Sequence, residues 1–233
     1  MSSRVDRAAA RARELAQAPW EPVAAVGAPA ARCFAIGDPQ APLETVLGVL
    51  ERNDLLGPDG WLAPDVHLVS IGDHFDWGGS RERLRAAADG LAVLSWLAAH
   101  APDRVTLILG NHDAGRVGEL AGFDDETFDA VHQEALIAYR DGDPDPALER
   151  ALCERHPALP TSEVAARDFA AFRVAQRELV TALLLGRRFR LAWLGAGDVV
   201  VSHAGFTQRE LAAIGLPPSA HDDPRAIVEA LEG

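Results

Sequence analysis

Four short apolar runs punctuate the 233-residue chain, and each stops at a side chain carrying a donor atom. "RCFAIGD" ends at Asp38, "VHLVSIGD" at Asp73, "RVTLILGNHD" at Asn111 and His112, and "DVVVSHAG" at His203. Runs of this length rich in Val, Ile and Leu predict buried strands. Helical patterns separate the first three. "PLETVLGVLERN" follows Asp38, with Pro39 placed to open a helix. Residues 80–100 put Leu84, Ala88, Leu91 and Leu94 on one helical face. The alternation predicts an α/β core with largely parallel strands. In such cores ligands gather beyond the carboxyl ends of the strands, where all four polar clusters fall.

Residues 124–186 follow a different rhythm. Long helical patterns there are broken by "DGDPDP" and "HPALPTS", and the segment reads as a helical insertion beside the core. The acidic run "FDDETFD" reads as a solvated helix start, where carboxylates suit the dipole. "FRLAWLGAGDVVVSH" predicts a β-hairpin turning near Gly195–Gly197. Residues 1–30 form an arginine-rich helical extension, expected to be solvated or loosely docked, ahead of a domain spanning 31–233.

A net charge of −13 and a pI near 5.0 argue against a nucleic-acid partner, which would need a basic stripe. An acidic chain acting on an anion needs a local source of positive charge, and bound metal supplies one. Two cysteines, Cys33 and Cys153, are too few for a disulfide framework, so a reducing, cytoplasmic setting is expected. No apolar run has the length to span a membrane.

One aspartate at a strand end is most simply a cap or turn residue. Four strand ends together offer Asp38 and Gln40, Asp73 and Asp76, Asn111 and His112, and His203. Oxygen and imidazole donors in that mixture suit divalent manganese, with iron or zinc as alternatives. A central carboxylate bridging two ions about 3.5–4 Å apart makes a clamp for phosphoryl displacement.

In this order "GDPQ", "GDHFDWG", "GNHD" and "SHAG" resemble the motifs of the calcineurin-like metallophosphoesterases. Within them the chain looks closest to the phosphoprotein phosphatases and the symmetrical diadenosine tetraphosphate hydrolases. "GNHDAGRVGELAGFDDE" adds Gly122-Phe123 and Asp125-Glu126 at the spacing of the former. The resemblance covers about residues 33–126 and 198–206. It implies a layered sandwich of two mixed sheets flanked by helices, two divalent metal ions and a phosphorylated substrate. Asp38 and Gln40 would hold the first ion, Asp73 would bridge both, and Asn111 and His203 would hold the second. His112 would protonate the leaving group, charged and oriented by Asp76, while a dimetal-activated hydroxide attacks. The activity implied is phosphate-ester hydrolysis of the phosphoprotein-phosphatase kind. Dinucleoside polyphosphate hydrolysis is the alternative, and a non-catalytic module with a decayed site is the rival.

Three departures from the family pattern bear on this. Gln40 stands where histidine is usual. Trp77 replaces an arginine that grips phosphate, so it is expected to stack on a substrate ring or to pack under the insertion. Arg81, Arg83 and Arg116 lie near the loops that could compensate, Arg116 being the substrate-binding candidate and a solvated surface arginine the alternative for each. A later Gly-His and its strands have no counterpart, and His221 is a poor substitute. The C-terminal strands of the family are thus expected to be missing, through truncation or supply by a partner. His67 is expected to be a half-buried structural residue, and His74 to flank the metals or lie on the surface. Trp61, Trp96 and Trp193 are expected to pack in the core or at hinges.

Overall fold

The computed structural model describes residues 3–27, 30–140 and 142–233. Three of the four apolar runs become neighbouring strands: β1 (Arg32–Ile36), β2 (Val66–Ser70) and β3 (Val105–Ile108). Two helices connect them, α2 (Leu43–Arg52) between β1 and β2, and α3 (Arg83–Ala98) between β2 and β3; α1 (Arg4–Leu15) precedes the sheet. After β3 come the short α4 (Asn111–Gly115), α5 (Asp125–Ala138), a small β4–β5 ladder (Tyr139–Arg140 with Asp143–Pro144), α6 (Pro146–Arg155) and α7 (Val174–Leu185). The chain closes with β6 (Phe189–Arg190), β7 (Ala192–Leu194), β8 (Val200–Ser202), α8 (Gln208–Ala213) and α9 (Pro224–Glu232).

The main sheet has the order β1-β2-β3-β6 and is parallel throughout, with Phe34 opposite Leu68 and Leu107 opposite Phe189. The protein is therefore α/β, a four-stranded parallel sheet flanked by helices. The fourth apolar run does not join that sheet. As β8 it pairs antiparallel with β7, Trp193 opposite Val201, around a turn in which Gly197 and Asp198 take positive φ. The hairpin falls where the sequence places it. In the parallel sheet its place is taken by β6, a two-residue strand too short to leave a periodic signal.

One face of the sheet supports the main core, with Phe34, Leu68, Val105 and Leu107 meeting α1, α2, α3 and α7. The leading helix is firmly docked, contrary to the loose packing expected of it. Ser3 and Asp6 form a reciprocal capping box, and Ala8, Ala9 and Ala12 are buried. Three alanines let the helix approach closely, while its arginines lie over the rim: Arg7 donates to the Pro58 carbonyl, and Arg11 stacks 4.4 Å from the Trp61 ring.

Helix α2 begins at Leu43, with Pro42 rather than Pro39 before it, and buries Leu43, Val46, Leu47 and Leu50. Helix α3 keeps the expected face only in its second half, where Leu94 is buried and Leu91 packs against the core. Leu84 is 63% exposed and Ala88 is also exposed, whereas Ala86, Ala87, Gly90, Val93, Trp96 and Leu97 are buried. The reason is close approach. A Cβ on Gly90 would lie 2.7 Å from the His74 carbonyl oxygen, so small residues decide which side faces the β2 loop.

Helices α5 and α6 and a π-helical turn (Val164–Asp168) build a second core around Leu120, Phe128, Leu152, Phe169 and Phe172. Helix α7 returns to the main core through Leu179, Val180 and Leu183. The start of α5 is capped by Asp124, which accepts from the Thr127 N–H at 2.7 Å. Further along, Asp129 is not merely solvated: it pairs with Arg83 and Arg173. Among the described residues no helix is long and apolar enough to cross a membrane.

Candidate functional site

Asp38 lies two residues past β1, Asp73 three past β2, Asn111 three past β3, and His203 directly after β8. The parallel strands deliver the first three to one edge, and the hairpin brings in the fourth from outside the sheet. Two glycines let the loops meet. A Cβ on Gly72, whose φ is +94°, would lie 2.6 Å from the Gly110 nitrogen. One on Gly110 would stand 2.1 Å from Asp73 Oδ1. The glycines of "GD" and "GN" are thus spacers that allow two strand-end loops to touch.

Three candidate carboxylates sit in strained backbone. Asp38, Asp73 and Asp76 have φ of 22°, 57° and 64°, a region costly for residues with a Cβ and most tolerable for Asp and Asn. Positive φ at functional aspartates is the kind of strain that surrounding structure must hold in place.

His203 is the hub of the donor group. Its Nδ1 faces the Ile71 carbonyl at 2.8 Å, and its Nε2 is 2.9 Å from Asn111 Oδ1 and 3.5 Å from Asp73 Oδ2. With Nδ1–H donated to Ile71, the Nε2 lone pair is turned toward two oxygens. Bare acceptors facing one another are relieved by a cation between them, so this donor set fits a divalent ion. Asp38 stands at the rim, 61% exposed, its Oδ1 3.9 Å from His203 Nδ1. Among the described residues no hydrogen bond or ion pair joins the Gln40 side chain to the group, and no three His, Cys, Asp or Glu side chains form a ready-made cage. Asn111 has to be counted to complete the set. His221 lies apart, bonded to the Leu216 carbonyl.

Beside this group sits the second constellation. His112 Nδ1 is 2.9 Å from Asp76 Oδ2, and its backbone N–H donates to Asp73 Oδ1 at 2.9 Å. Burial works against a charge on His112, but the hydrogen bond and charge of Asp76 outweigh it, Asp73 adds to them, and the pKa is raised. For Asp73, burial dominates and pushes the carboxyl up despite the His112 N–H. A partly buried imidazole held in its charged form by a carboxylate is equipped to give a proton to a developing oxyanion.

Beneath both lies a residue that sequence reasoning passed over. Asp113 is fully buried and accepts from the backbone of Asp73, His74 and Gly110 and from His74 Nδ1, all at 3.0–3.2 Å. Burial raises its pKa, yet His74 and the N–H donors outweigh this and hold the carboxyl below the usual range. It staples the Asp73 loop to the Asn111 loop. His74 is correspondingly interior rather than on the surface, and its Nε2 lies 2.9 Å from Ser70 Oγ. The available signal was the last letter of "GNHD", a carboxylate one residue past the histidine.

Arg116 is also corrected. It is no solvated surface residue: its side chain is fully buried and its Nη2 is 2.6 Å from Asp76 Oδ2. Arg83 is tied to Asp129 of the insertion, while Arg81 is exposed. Trp77 takes up the packing expected of it under the insertion. Its ring packs against Ala86, Ala87 and Ala171, with the Arg85 guanidinium 5.5 Å from its centroid, so it lies under the insertion. His67 is half-buried against Thr106 as expected, and Cys33 and Cys153 are free. Trp96 is buried in the core, and Trp61 stacks on it. The chain matches no family model, no curated protein and no solved structure.

Proposed function

We propose that the protein is a metal-dependent phosphoric ester hydrolase of the metallophosphoesterase type, acting on a phosphorylated substrate in the cytoplasm in the manner of a phosphoprotein phosphatase. The observation that carries the reading is the His112–Asp76 pair set beside the Asp73–Asn111–His203 donor group. The hairpin β7–β8, which brings His203 from outside the parallel sheet, supports the two-layered sandwich of that family.

Asp73, Asn111 and His203 would hold one divalent ion, manganese foremost, and Asp38 with Gln40 would complete a site for a second. Such ions, when bound, neutralise phosphoryl oxygens and acidify water. The chain's own part is better defined. Asp76 orients the His112 ring and keeps its proton, leaving Nε2–H to meet the departing oxygen. Asp113 fixes both loops so that the ring and the donors keep their spacing. The Ile71 carbonyl sets the tautomer of His203.

The test is hydrolysis of p-nitrophenyl phosphate with manganese, iron or zinc added to the metal-free chain. Turnover with at least one ion, lost with a chelator and lowered about 10²–10⁴-fold by His112→Asn, is expected. No turnover with any of them overturns the reading. Phosphopeptide and diadenosine tetraphosphate assayed side by side separate the two substrate classes. A second reading, a non-catalytic module, is favoured by the exposed Asp38 and the unjoined Gln40. It predicts at most one ion per chain and no turnover.

A further inference from the structure

Arg116 joins two parts of the molecule that the sequence treats as separate. Its guanidinium lies 4.5 Å from the Phe75 ring centroid and 5.2 Å from that of Phe169, with no exposure to solvent. Nη2 stands 2.6 Å from Asp76 Oδ2, the oxygen that also receives His112 Nδ1–H, as a close charge contact whose N–H is not aligned for a hydrogen bond. Nη1 donates to the His112 carbonyl at 2.8 Å, and Nε reaches Gln176 Oε1 at 3.4 Å. One buried cation therefore touches both members of the pair and the insertion.

The insertion reaches the other oxygen of Asp76. The Ala171 N–H donates to Oδ1 at 3.2 Å. Gln176, itself fully buried, donates to the Ala171 and Ala87 carbonyls at 3.0 and 3.3 Å and accepts from the Arg173 N–H at 3.0 Å. Asp76 is at φ 64°, so this orientation is imposed by its neighbours rather than by its own backbone preference. Among the described residues no hydrogen bond or ion pair joins Arg116 to Asp73, Asn111 or His203; its contacts bear on where the Asp76 carboxylate points.

Resting on the phosphohydrolase reading, we propose that Arg116 is a positioning residue, and that residues 169–176 of the insertion act with it as a clamp holding Asp76 against His112. A buried guanidinium demands a nearby anion, and with Nη1 anchored on the His112 carbonyl the charge at Nη2 favours one placement of the Asp76 carboxylate. Without the clamp, Asp76 is free to rotate and the His112 ring loses its anchor. Proton donation then fails while the donor group is untouched. That failure has a signature: esters with poor leaving groups, which need the proton most, slow far more than those with good ones.

The test uses the manganese-loaded full chain with phenyl phosphate, a poor leaving group, and p-nitrophenyl phosphate, a good one. Arg116→Met should lower kcat on phenyl phosphate by about a hundredfold or more and on p-nitrophenyl phosphate by less than tenfold, with KM and bound manganese unchanged. Arg116→Lys should recover part of the loss. Gln176→Leu, which keeps the ion pair, should show the same pattern more mildly, and it carries the comparison if Arg116→Met does not fold. Equal losses on both esters, or loss of manganese, overturn the proposal. A second readout does not need activity: the hydrogen-bonded His112 Nδ1 proton, assigned by NMR through its loss in His112→Asn. Its presence in the wild type and loss in Arg116→Met or Gln176→Leu supports the clamp even if neither ester is hydrolysed, in which case the functional reading alone fails. Its absence in the wild type, or its persistence in both variants, overturns the clamp.

Discussion

The base of α3 and the strand-end loops both bury histidine among aromatic rings, with opposite results. At the base, His100 sits between Trp61 and Trp96, donates from Nδ1 to the Trp96 carbonyl at 2.8 Å and accepts at Nε2 from the Leu62 N–H at 3.2 Å. Every polar atom of its neutral ring is satisfied, and burial pushes its pKa down to about 4. At the strand ends His74 and His112 are buried or nearly so, but each faces a carboxylate, and for His112 the shift reverses. Burial alone makes a histidine a neutral packing unit. Burial beside the Asp76 carboxylate makes His112 a charge-bearing one, and that aspartate comes from a strand-end loop.

The comparison breaks most severely at Asp113. Asp113→Ala strands His74 and three backbone N–H groups in the interior, and should cost about 3–5 kcal/mol of stability by urea denaturation. Next comes pH. Because the folded pKa of His100 lies below its unfolded value, the unfolded chain binds the extra proton. Its contribution is complete above about pH 6.5 and is lost as pH falls toward 4, roughly 3 kcal/mol in all. His100→Gln should flatten that slope in a pH series of denaturation curves. Gly110→Ala forces Asp73 aside and should cost about 1–3 kcal/mol while weakening manganese binding, read by calorimetry. Smallest is Asp38→Gly. The glycine relieves backbone strain but loosens the unfolded chain, so stability should stay within about 1 kcal/mol of wild type while metal binding falls.

What the sequence revealed follows the same division. The strand ends were legible because a run of Val, Ile and Leu stopping at Gly-Asp or Gly-Asn is a local pattern, and so was the hairpin that carries His203. The buried face of α3 was legible only in part: Leu94 lies in the core as the stripe implies, whereas Leu84 is exposed and the first half is set by Gly90 against the His74 carbonyl. Arg116, His74 and Asp113 were missed or misplaced for a related reason. A charged residue is interior only if its partner is there to meet it, and those partners lie up to 60 positions away. The docking of α1 depended likewise on alanines whose smallness matters only against a neighbouring helix.

The left-handed backbone at Asp38, Asp73 and Asp76 has one more consequence. At such positions the backbone admits a short alphabet of glycine, asparagine and aspartate. Only one letter of that alphabet carries a negative charge. Shape and chemistry therefore select the same residue independently, and asparagine is the substitution that removes the charge while leaving the path of the chain in place.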